Sequence, residues 1–215
     1  MAELLRKKID NHSLYAIWQI TETAEELRSA ITLSPGEESL YRSFVAESRK
    51  KQWLAYRLLL RHLLAPDDIV IEYDHAGKPF LAGTDLHISV THTEDLAGVI
   101  ISRNARVGID IEKIKPRIEK VRDKFISEEE SFFIMKETEP EQLTITWCAK
   151  EALYKLYGLR NLDFRENIRV EIPSKAGIRF KATICPGTGN YDYDLLSERI
   201  GDFVLVYVVE QGLTG

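Results

Sequence analysis

The sequence has few cysteines, no apolar run long enough to cross a membrane and no low-complexity stretch. Its two cysteines, Cys148 and Cys185, are too few for a disulfide framework, and neither stands in a zinc-binding spacing. We expect both thiols to be reduced. The first residues carry charges throughout and lack the apolar stretch of a secretory signal. The sequence therefore predicts a cytoplasmic protein with no membrane partner.

Charge of one sign is not in large excess. The 29 Lys and Arg residues and 34 Asp and Glu residues give a formal net charge of −5, which argues against a nucleic-acid partner. Local charge is different, because the segment from Arg49 to Arg61 carries five basic residues and no acidic one. This cationic patch suits a small polyanion, although a solvated helix face explains it equally well.

Apolar residues recur at helical spacings from Ser39 to Leu64, which predicts one long helix that ends before Pro66. Short strands are predicted within DIVIEYD, HISVTH and LAGVIIS, with the turn HAGKP after the first. The second part of the chain predicts helices over Ser127–Lys136 and Leu143–Leu159. Further strands are predicted near IRVEI, IRFKATI, YDYDLLSE and FVLVYVVE.

The order of predicted elements repeats along the chain. The segment WLAYRLLLR, which begins at Trp53, aligns with WCAKEALYK, which begins at Trp147, at Trp, Ala, Leu and a terminal cation. No Ser/Gly/Pro-rich linker separates the two parts, so we expect them to pack tightly. The sequence thus predicts an α+β fold of two similar halves, residues 1–104 and 105–215. Each half is expected to be a small antiparallel sheet packed with a long helix.

The segment VGIDIE, residues 107–112, alternates apolar and acidic side chains. In a strand, Ile109 and Ile111 therefore face a core while Asp110 and Glu112 share the opposite face. Mg²⁺ prefers oxygen ligands and takes only a few protein carboxylates, completing its shell with water and phosphates. The pair alone is weak evidence, because acidic residues on the solvent side of an edge strand look the same.

The second long helix places Trp147, Glu151 and Lys155 on one face, with Lys150 about a quarter-turn away. An exposed helical ion pair explains Glu151 and Lys155 by itself. The aligned helix of the first half, however, carries cations at both of these positions, the first of them Arg57. An acid facing a base across a cleft suits a site where metal and cations together bind a pyrophosphate.

Two further motifs belong to the first half. Gly77, Lys78 and Pro79 put a lysine beside a glycine, which lets a phosphate or a flat ring approach the backbone, although an ordinary turn is the alternative. His92 lies between two threonines at a strand end, where a ring N–H and hydroxyls can hold a phosphate. A histidine satisfied by its strand neighbours is the alternative there.

Taken in order, GKP, ISVTH, VGIDIE and WCAKEALYK resemble the 4'-phosphopantetheinyl transferases, with the spacing of the longer, surfactin-synthetase type. The resemblance runs from about Phe44 to Gly158, and GIDIE followed by WxxKExxxK is its specific pair. It implies two halves related by a pseudo-twofold axis, and hence a monomer. It also implies Mg²⁺-dependent transfer of the 4'-phosphopantetheine arm of coenzyme A to a serine of an acyl or peptidyl carrier protein, releasing 3',5'-ADP.

The resemblance also implies roles for individual residues. Asp110, Glu112 and Glu151 would be the metal ligands, with Glu151 accepting the proton of the carrier serine. Lys155 would stabilise or protonate the leaving phosphate, and His92 would lie near the 3'-phosphate of coenzyme A. Combined with the basic and turn residues above, the predicted coenzyme A contacts are Arg57, Gly77, Lys78, Pro79, Thr91, His92, Lys150 and Lys155.

Some features fit the family less closely. The family's histidine motif usually reads SHS, whereas here Thr91 and Thr93 flank His92, so the hydroxyls are kept and methyl groups are added. Glu130 falls where the family often has another acid, and its role is open. The stretch from Lys113 to Phe125 suits docking of the acidic helix common in carrier proteins, and a solvated connector explains it equally well.

Two other functions are compatible with these residues. A Mg²⁺-dependent nuclease also combines an Asp, a Glu and a Lys, but its acid and lysine usually lie on a strand, whereas Glu151 and Lys155 are spaced for a helix. A non-catalytic module that binds carrier proteins or coenzyme A is the other alternative. Metal-dependent turnover separates it from an enzyme.

Overall fold

The computed structural model of the chain describes residues 3–64, 69–158 and 162–210. Antiparallel sheets, a short hairpin and the helices packed on them make up the fold. A mixed α/β fold with antiparallel sheets is what the sequence predicted, and at that level it is confirmed. The strands are β1 (Glu3–Lys8), β2 (Ser13–Gln19), β3 (Ile71–Tyr73), β4 (Pro79–Leu81), β5 (His87–Thr93), β6 (Leu96–Ser102), β7 (Val107–Lys113), β8 (Ile168–Val170), β9 (Arg179–Ile184), β10 (Tyr191–Ile200) and β11 (Phe203–Val209).

The helices fall in two groups, one between β2 and β3 and the other between β7 and β8. They are α1 (Ala24–Ser29), α2 (Pro35–Ser43), α3 (Glu47–Leu64), α4 (Glu128–Ser131) and α5 (Glu139–Tyr157), with a 3₁₀ helix over Pro116–Lys124.

One sheet has the strand order β1-β2-β6-β5 and the other β7-β11-β10-β9-β8, while β3 and β4 form the hairpin. Every residue of β6 is buried, because α3 covers one of its faces and the second sheet covers the other. The two sheets share a core in which Tyr15, Ile17 and Ile100 meet Ile109 and Ile111. This burial confirms the predicted alternation of VGIDIE, with its isoleucines in the core.

The prediction of one helix from Ser39 to Leu64 was wrong, because α2 and α3 are separate. Ser34 starts α2 through a capping box with Glu37, in which each residue's side chain accepts from the other's backbone N–H. The chain leaves α2 at Phe44, whose backbone is extended. The predicted stop at Pro66 lies outside the described residues.

The two helices predicted in the second part differ from the prediction in length. Instead of Ser127–Lys136, α4 covers only Glu128–Ser131, since tighter backbone bonds follow it, from Phe133 N to Glu130 O at 3.1 Å and from Ile134 N to Ser131 O at 3.4 Å.

In turn, α5 starts at Glu139, four residues before the predicted Leu143. It ends at Tyr157 because Gly158 takes a left-handed conformation, with φ of 76°. The predicted last residue, Leu159, lies outside the described residues.

Close contact between α5 and β7 depends on one glycine. A Cβ atom on Gly108 would lie 1.9 Å from the carbonyl oxygen of Ala152, so no larger residue fits without moving the helix. The neighbouring residues of each element, Asp110 on β7 and Glu151 and Lys155 on α5, are thereby brought to the same cavity.

Within the described residues, no helix combines the length and the apolar character that a bilayer span requires.

Candidate active site

A cavity of about 440 Å³ lies where β5, β7, α3, α5 and the turn before β4 meet. It contains both the acidic pair of β7 and the acid and lysine of α5, together with the GKP turn and the histidine of β5. The structure thus brings together motifs that lie far apart in the sequence. The predicted site residues that line the cavity are Gly77, Lys78, Pro79, Thr91, His92, Asp110, Glu112, Glu151 and Lys155.

Asp110 is almost fully buried, and its two carboxylate oxygens have different surroundings. Oδ1 accepts hydrogen bonds from Thr91 Oγ1 at 2.9 Å and from Lys155 Nζ at 2.7 Å. Lys155 also donates to the carbonyl oxygen of Ile109 at 3.1 Å, which fixes its position. Oδ2 is buried and accepts no hydrogen bond from any described residue. Such an orphaned anionic oxygen is costly unless another group approaches it.

The other two acids of the cavity have perturbed pKa values. Burial, together with the nearby negative charge of Asp110, raises the pKa of Glu151 to about 7. Burial also raises the pKa of Glu112, again with a contribution from Asp110, although a hydrogen bond of 3.1 Å from Thr93 Oγ1 opposes the shift. Two carboxyl groups whose ionisation is disfavoured, close to a third carboxylate, form a site where a cation is stabilising.

This donor set fits a hard divalent cation. In the described part of the chain, no three Asp, Glu, His or Cys side chains are grouped closely enough to complete a metal site by themselves. Mg²⁺ does not need such a group, since it usually takes one or two carboxylates and fills its shell with water and substrate phosphates. Carboxylate oxygens, one of them the unpartnered Oδ2 of Asp110, suit that mode of binding.

The GKP turn has the special glycine that the sequence predicted. Gly77 has φ of 82°, and Asp74 Oδ1 accepts hydrogen bonds of 2.9 Å from the backbone N–H groups of Ala76 and Lys78. Lys78 Nζ donates at 3.0 Å to the carbonyl oxygen of Leu156, in the last turn of α5. Burial lowers the pKa of Lys78. This lysine therefore joins the first-half turn to the second-half helix at the wall of the cavity.

His92 lies beside an arginine that the predicted site did not include. Arg49 Nη1 is 2.7 Å from His92 Nε2, and an arginine can only donate, so this ring nitrogen accepts. Burial lowers the pKa of His92 to about 4, with further contributions from the positive charges of Arg49 and Lys155. The ring is therefore neutral at neutral pH. The cationic run that begins at Arg49 was the available sequence signal for this residue.

Arg57 does not line the cavity, contrary to its prediction as a coenzyme A contact. It is 1% exposed, and its guanidinium lies 3.5 Å from the centre of the Trp53 ring. It donates to Glu37 Oε1 at 3.1 Å, to Tyr73 Oη at 3.1 Å and to Tyr56 Oη. The sequence placed Arg57 in the cationic patch from Arg49 to Arg61, but α2 and the β3–β4 hairpin cover this position.

Lys150 is also absent from the cavity wall, contrary to the prediction that it faces the phosphates. Its side chain has no exposed surface. It donates to Glu130 Oε2 at 2.8 Å and to the carbonyl oxygens of Phe125 and Phe164 at 2.6 and 2.8 Å. All three ammonium protons therefore have acceptors within the fold. Glu130 in turn accepts from the backbone N–H of Val170 at 2.8 Å, so the pair ties α5 to its neighbours.

Aromatic residues form part of the cavity wall, and the predicted site included none of them. Tyr56 and Tyr73 come from the first half, and Trp147 and Tyr154 come from α5. The hydroxyls of Tyr56 and Tyr73 lie 2.7 Å apart, next to Arg57. Trp147 shares the predicted helical face of Glu151 and Lys155, which was the available sequence signal for it. No sequence signal separated the three tyrosines from ordinary packing residues.

Comparisons with known proteins agree with the motifs. Residues 106–208 match the family model of the 4'-phosphopantetheinyl transferase superfamily. The chain is 33% identical over 140 residues to 4'-phosphopantetheinyl transferase AcpT of Salmonella typhimurium, covering 59% of this chain and 70% of that protein. It is 38% identical over 89 residues to AcpT of Salmonella typhi, covering 40% of this chain and 46% of that protein.

A more extended match is found with 4'-phosphopantetheinyl transferase gsp of Aneurinibacillus migulanus, at 25% identity over 163 residues, or 74% of this chain and 66% of that protein. The matched stretch therefore spans 46% to 70% of the length of these relatives. The resemblance inferred from the four motifs is confirmed, and the chain belongs to the 4'-phosphopantetheinyl transferase superfamily.

Proposed function

We propose that this chain transfers the 4'-phosphopantetheine arm of coenzyme A to a serine of an acyl or peptidyl carrier protein, with Mg²⁺, and releases 3',5'-ADP. The observation that carries the proposal is that one cavity holds three carboxylates and Lys155 beside the GKP turn and His92. Phosphoryl transfer requires mainly positioning of the reacting groups and neutralisation of charge on the phosphate oxygens. A cavity with acids for a metal and cations for phosphates meets both requirements.

Asp110, Glu112 and Glu151 would hold the metal ion. When bound, Mg²⁺ would neutralise charge on the pyrophosphate oxygens of coenzyme A. Lys155 donates to Asp110 at 2.7 Å and to the carbonyl oxygen of Ile109 at 3.1 Å, which leaves one ammonium proton available to a phosphate oxygen. Lys78 and His92 would contact the nucleotide part of coenzyme A, with Arg49 as an additional cation beside His92. Gly77, at positive φ, keeps the backbone accessible to that part.

The reaction joins the carrier serine oxygen to the phosphorus that carries the pantetheine arm. The bond from this phosphorus to the bridging oxygen breaks, and the bridging oxygen leaves as part of 3',5'-ADP. Glu151 would accept the serine proton, directly or through a water molecule. A carboxyl group whose ionisation is disfavoured by burial and by Asp110 is a suitable proton acceptor at neutral pH. Lys155 would stabilise the charge that develops on the leaving phosphate.

We also propose that residues 1–104 and 105–215 are two halves related by a pseudo-twofold axis. The strand order β2-β6-β5 beside α3 has a counterpart in β7-β11-β10 beside α5, and a pair of short strands follows the long helix in each half. A chain that supplies both halves of its own cavity does not need a second copy, which supports a monomer. The cytoplasmic location stays a prediction from the sequence.

The carrier protein is proposed to dock on the segment that follows β7, including the predicted stretch 113–125. The docking face is defined by the exposed residues Arg117, Lys120, Lys124, Phe132 and Phe133. Phe132 is 85% exposed and Phe133 67% exposed, and cations lie in the neighbouring 3₁₀ helix. An acidic helix with apolar positions is complementary to such a face in charge and in polarity.

The direct test is mass spectrometry of an apo carrier protein incubated with this protein, coenzyme A and Mg²⁺, with EDTA in a parallel reaction. We expect the carrier to gain the mass of one phosphopantetheine only when the metal is present. No gain with several unrelated carriers, while coenzyme A or carrier still binds, would instead favour a non-catalytic binding module. Transfer that persists in EDTA would contradict the metal part of the proposal.

A further inference from the structure

The two sheets meet through side-chain hydroxyls rather than through a backbone ladder. Both β5 and β7 are edge strands of their sheets, and they lie side by side. The backbone N–H of Ile109 donates to Ser89 Oγ at 3.3 Å, and that of Ile111 donates to Thr91 Oγ1 at 3.1 Å. Hydroxyls on alternate residues of β5 therefore take the place of the carbonyl groups of a neighbouring strand. They satisfy backbone donors of an edge that is buried in the fold.

Thr91 differs from Ser89 because its hydroxyl has a second partner. A backbone N–H can only donate, so Thr91 Oγ1 accepts from Ile111. A carboxylate can only accept, so the same hydroxyl donates its one proton to Asp110 Oδ1, at 2.9 Å. Thr91 is 2% exposed. Its hydroxyl proton is therefore committed within the protein, and any effect of this hydroxyl on a ligand is exerted through Asp110.

The hydrogen bonds of Asp110 decide which of its two carboxylate oxygens remains available to a cation. Thr91 and Lys155 both donate to Oδ1, while the buried Oδ2 accepts from no described residue. Two residues further along each strand, Thr93 Oγ1 donates to Glu112 Oε2 at 3.1 Å. Two threonine hydroxyls two residues apart thus hold the two carboxylates that alternate along β7, each by one oxygen.

The methyl group of Thr91 has a matching space on the next strand. Gly98 is the residue paired with Thr91 across β5 and β6, and a Cβ atom on Gly98 would lie 3.0 Å from the Thr91 Cγ2 atom. The branched side chain therefore fills the space that the glycine leaves, and β-branching restricts its χ1 rotamer. A threonine here holds its hydroxyl toward Asp110 more firmly than a serine does.

We propose that Thr91 and Thr93 are positioning residues that orient the carboxylates of Asp110 and Glu112 toward a divalent cation, an inference that rests on the proposed function. Hydrogen-bond partners of metal ligands set the orientation of the ligands, and their removal lowers metal affinity. Thr91 was predicted to contact coenzyme A, and this inference replaces that role with an indirect one. The methyl groups that distinguish this chain from the SHS pattern then stabilise the arrangement.

The test measures Mn²⁺ binding by electron paramagnetic resonance, with Mn²⁺ in place of Mg²⁺, in the absence and in the presence of coenzyme A. We expect Thr91→Val to weaken Mn²⁺ binding about tenfold or more and Thr93→Val about threefold to tenfold. Thr91→Ser keeps the hydroxyl and is expected to stay within about threefold of the wild type. In transfer assays the concentration of Mg²⁺ needed for half-maximal rate should rise in the valine variants, with a smaller change in the KM for coenzyme A.

Ser89→Ala is the matched control. Like Thr91→Val, it removes an acceptor for a β7 backbone N–H, but among the described residues no carboxylate is bonded to Ser89. Both variants should therefore show a lower melting temperature, and only Thr91→Val should lose Mn²⁺ affinity. Equal loss of Mn²⁺ affinity in the two variants would overturn the positioning role in favour of a purely structural one.

Thr93→Val keeps the test decisive if Thr91→Val does not fold, because Thr93 accepts no bond from a β7 backbone N–H among the described residues. Wild-type Mn²⁺ affinity in every folded valine variant, or no Mn²⁺ binding by the wild type under either condition, would overturn the inference. A wild type that binds Mn²⁺ but transfers nothing to any carrier would contradict the proposed function alone. In that case, weaker Mn²⁺ binding by the valine variants would still support the positioning of the carboxylates.

Discussion

The helices α3 and α5 begin their aligned segments with a tryptophan, and four residues later one carries Arg57 and the other Glu151. Arg57 stacks on Trp53 and is enclosed by hydrogen bonds to Glu37 and two tyrosines. Glu151, by contrast, faces the cavity with its pKa raised to about 7. The same helical position therefore stabilises one half and, under the proposed function, takes part in the chemistry of the other. Substitution of Arg57 should accordingly change the free energy of unfolding, whereas substitution of Glu151 should change the rate of transfer.

The largest expected effect is on catalysis, from Glu151→Gln. If Glu151 accepts the serine proton, kcat should fall by about 10³-fold. The free energy of unfolding should stay the same or rise, since the substitution removes a buried negative charge near Asp110. Steady-state transfer kinetics and urea unfolding measure the two quantities. Glu166→Gln, at a well exposed carboxylate, is the control, and turnover near the wild-type rate in Glu151→Gln would contradict the mechanism.

For Arg57→Met, the expected change is in stability rather than in catalysis. This variant keeps much of the apolar stem but leaves the carboxylate of Glu37 buried without its cation, and we expect a loss of about 3 to 5 kcal/mol in the free energy of unfolding. Arg42→Met removes an exposed arginine that pairs with Glu38 and should cost less than about 1 kcal/mol. Urea unfolding compares the two variants. Equal losses would mean that the buried network around Arg57 does not stabilise the first half.

These contrasts explain which parts of the site the sequence predicted. Strand alternation placed Asp110 and Glu112 on one face, and helical spacing placed Glu151 and Lys155 together, because both periods are properties of the local backbone. The left-handed backbone conformation of Gly77 also depends on the local sequence of the turn. The sequence could not tell whether a helical face is exposed or covered, so Arg57 and Lys150 were assigned to the cavity although other elements cover them.

Element boundaries were predicted less well, because they also depend on contacts between elements that the local sequence does not specify. The apolar spacing continues through Phe44, yet α2 ends there because the chain must turn for Phe44 to pack near Trp53, with ring centres 5.7 Å apart. The paired roles of Thr91 and Thr93 were equally hidden. Their partners lie about twenty residues away on a strand of the other sheet, and no local pattern specifies that contact.

A third prediction compares close approaches of the backbone in the two halves. A Cβ atom on Gly108 would meet the backbone oxygen of Ala152 at 1.9 Å, whereas one on Gly98 would meet the end of the Ile17 side chain at 2.6 Å. A backbone cannot move aside as a side chain can, so Gly108→Ala should lose about 2 to 3 kcal/mol and Gly98→Ala about 1 kcal/mol. Gly108→Ala should also lower transfer activity, since it displaces α5 from β7.

Thermal and urea unfolding measure the stability of these glycine variants. Gly36→Ala is the control, because a Cβ atom there meets nothing within 4 Å. If Gly98→Ala were the more damaging of the two variants, the close contact of α5 with β7 would not be what makes glycine necessary at position 108.

A fourth prediction concerns pH and the neutral state of His92. Its pKa is lowered to about 4 in the folded protein, against about 6.5 in an unfolded chain. Between these values the unfolded chain binds more protons, so His92 makes the protein less stable as the pH falls from about 6.5 to 4. Glu151 has its pKa raised instead, so it acts in the opposite direction over part of this range. The difference between wild type and His92→Gln therefore isolates the histidine.

We expect the stability of the wild type relative to His92→Gln to decline by about 1 to 3 kcal/mol between pH 7 and pH 4.5. Urea unfolding at several pH values gives this difference. His87→Gln, at an exposed histidine of the same strand, is the control. A flat difference for His92→Gln would mean that Arg49, Lys155 and burial do not keep the ring neutral.

The smallest expected effect comes from substituting exposed apolar residues, compared between the two halves. Phe132 and Phe133 belong to the proposed docking face, while Val45, 98% exposed between α2 and α3, lies in the first half. The double substitution Phe132→Ser and Phe133→Ser should raise the KM for the carrier protein about fivefold, because exposed aromatic residues often provide most of the energy of a protein interface. The KM for coenzyme A should not change. Val45→Ser should alter neither constant, and an equal effect of both substitutions on the carrier KM would place the carrier elsewhere on the molecule.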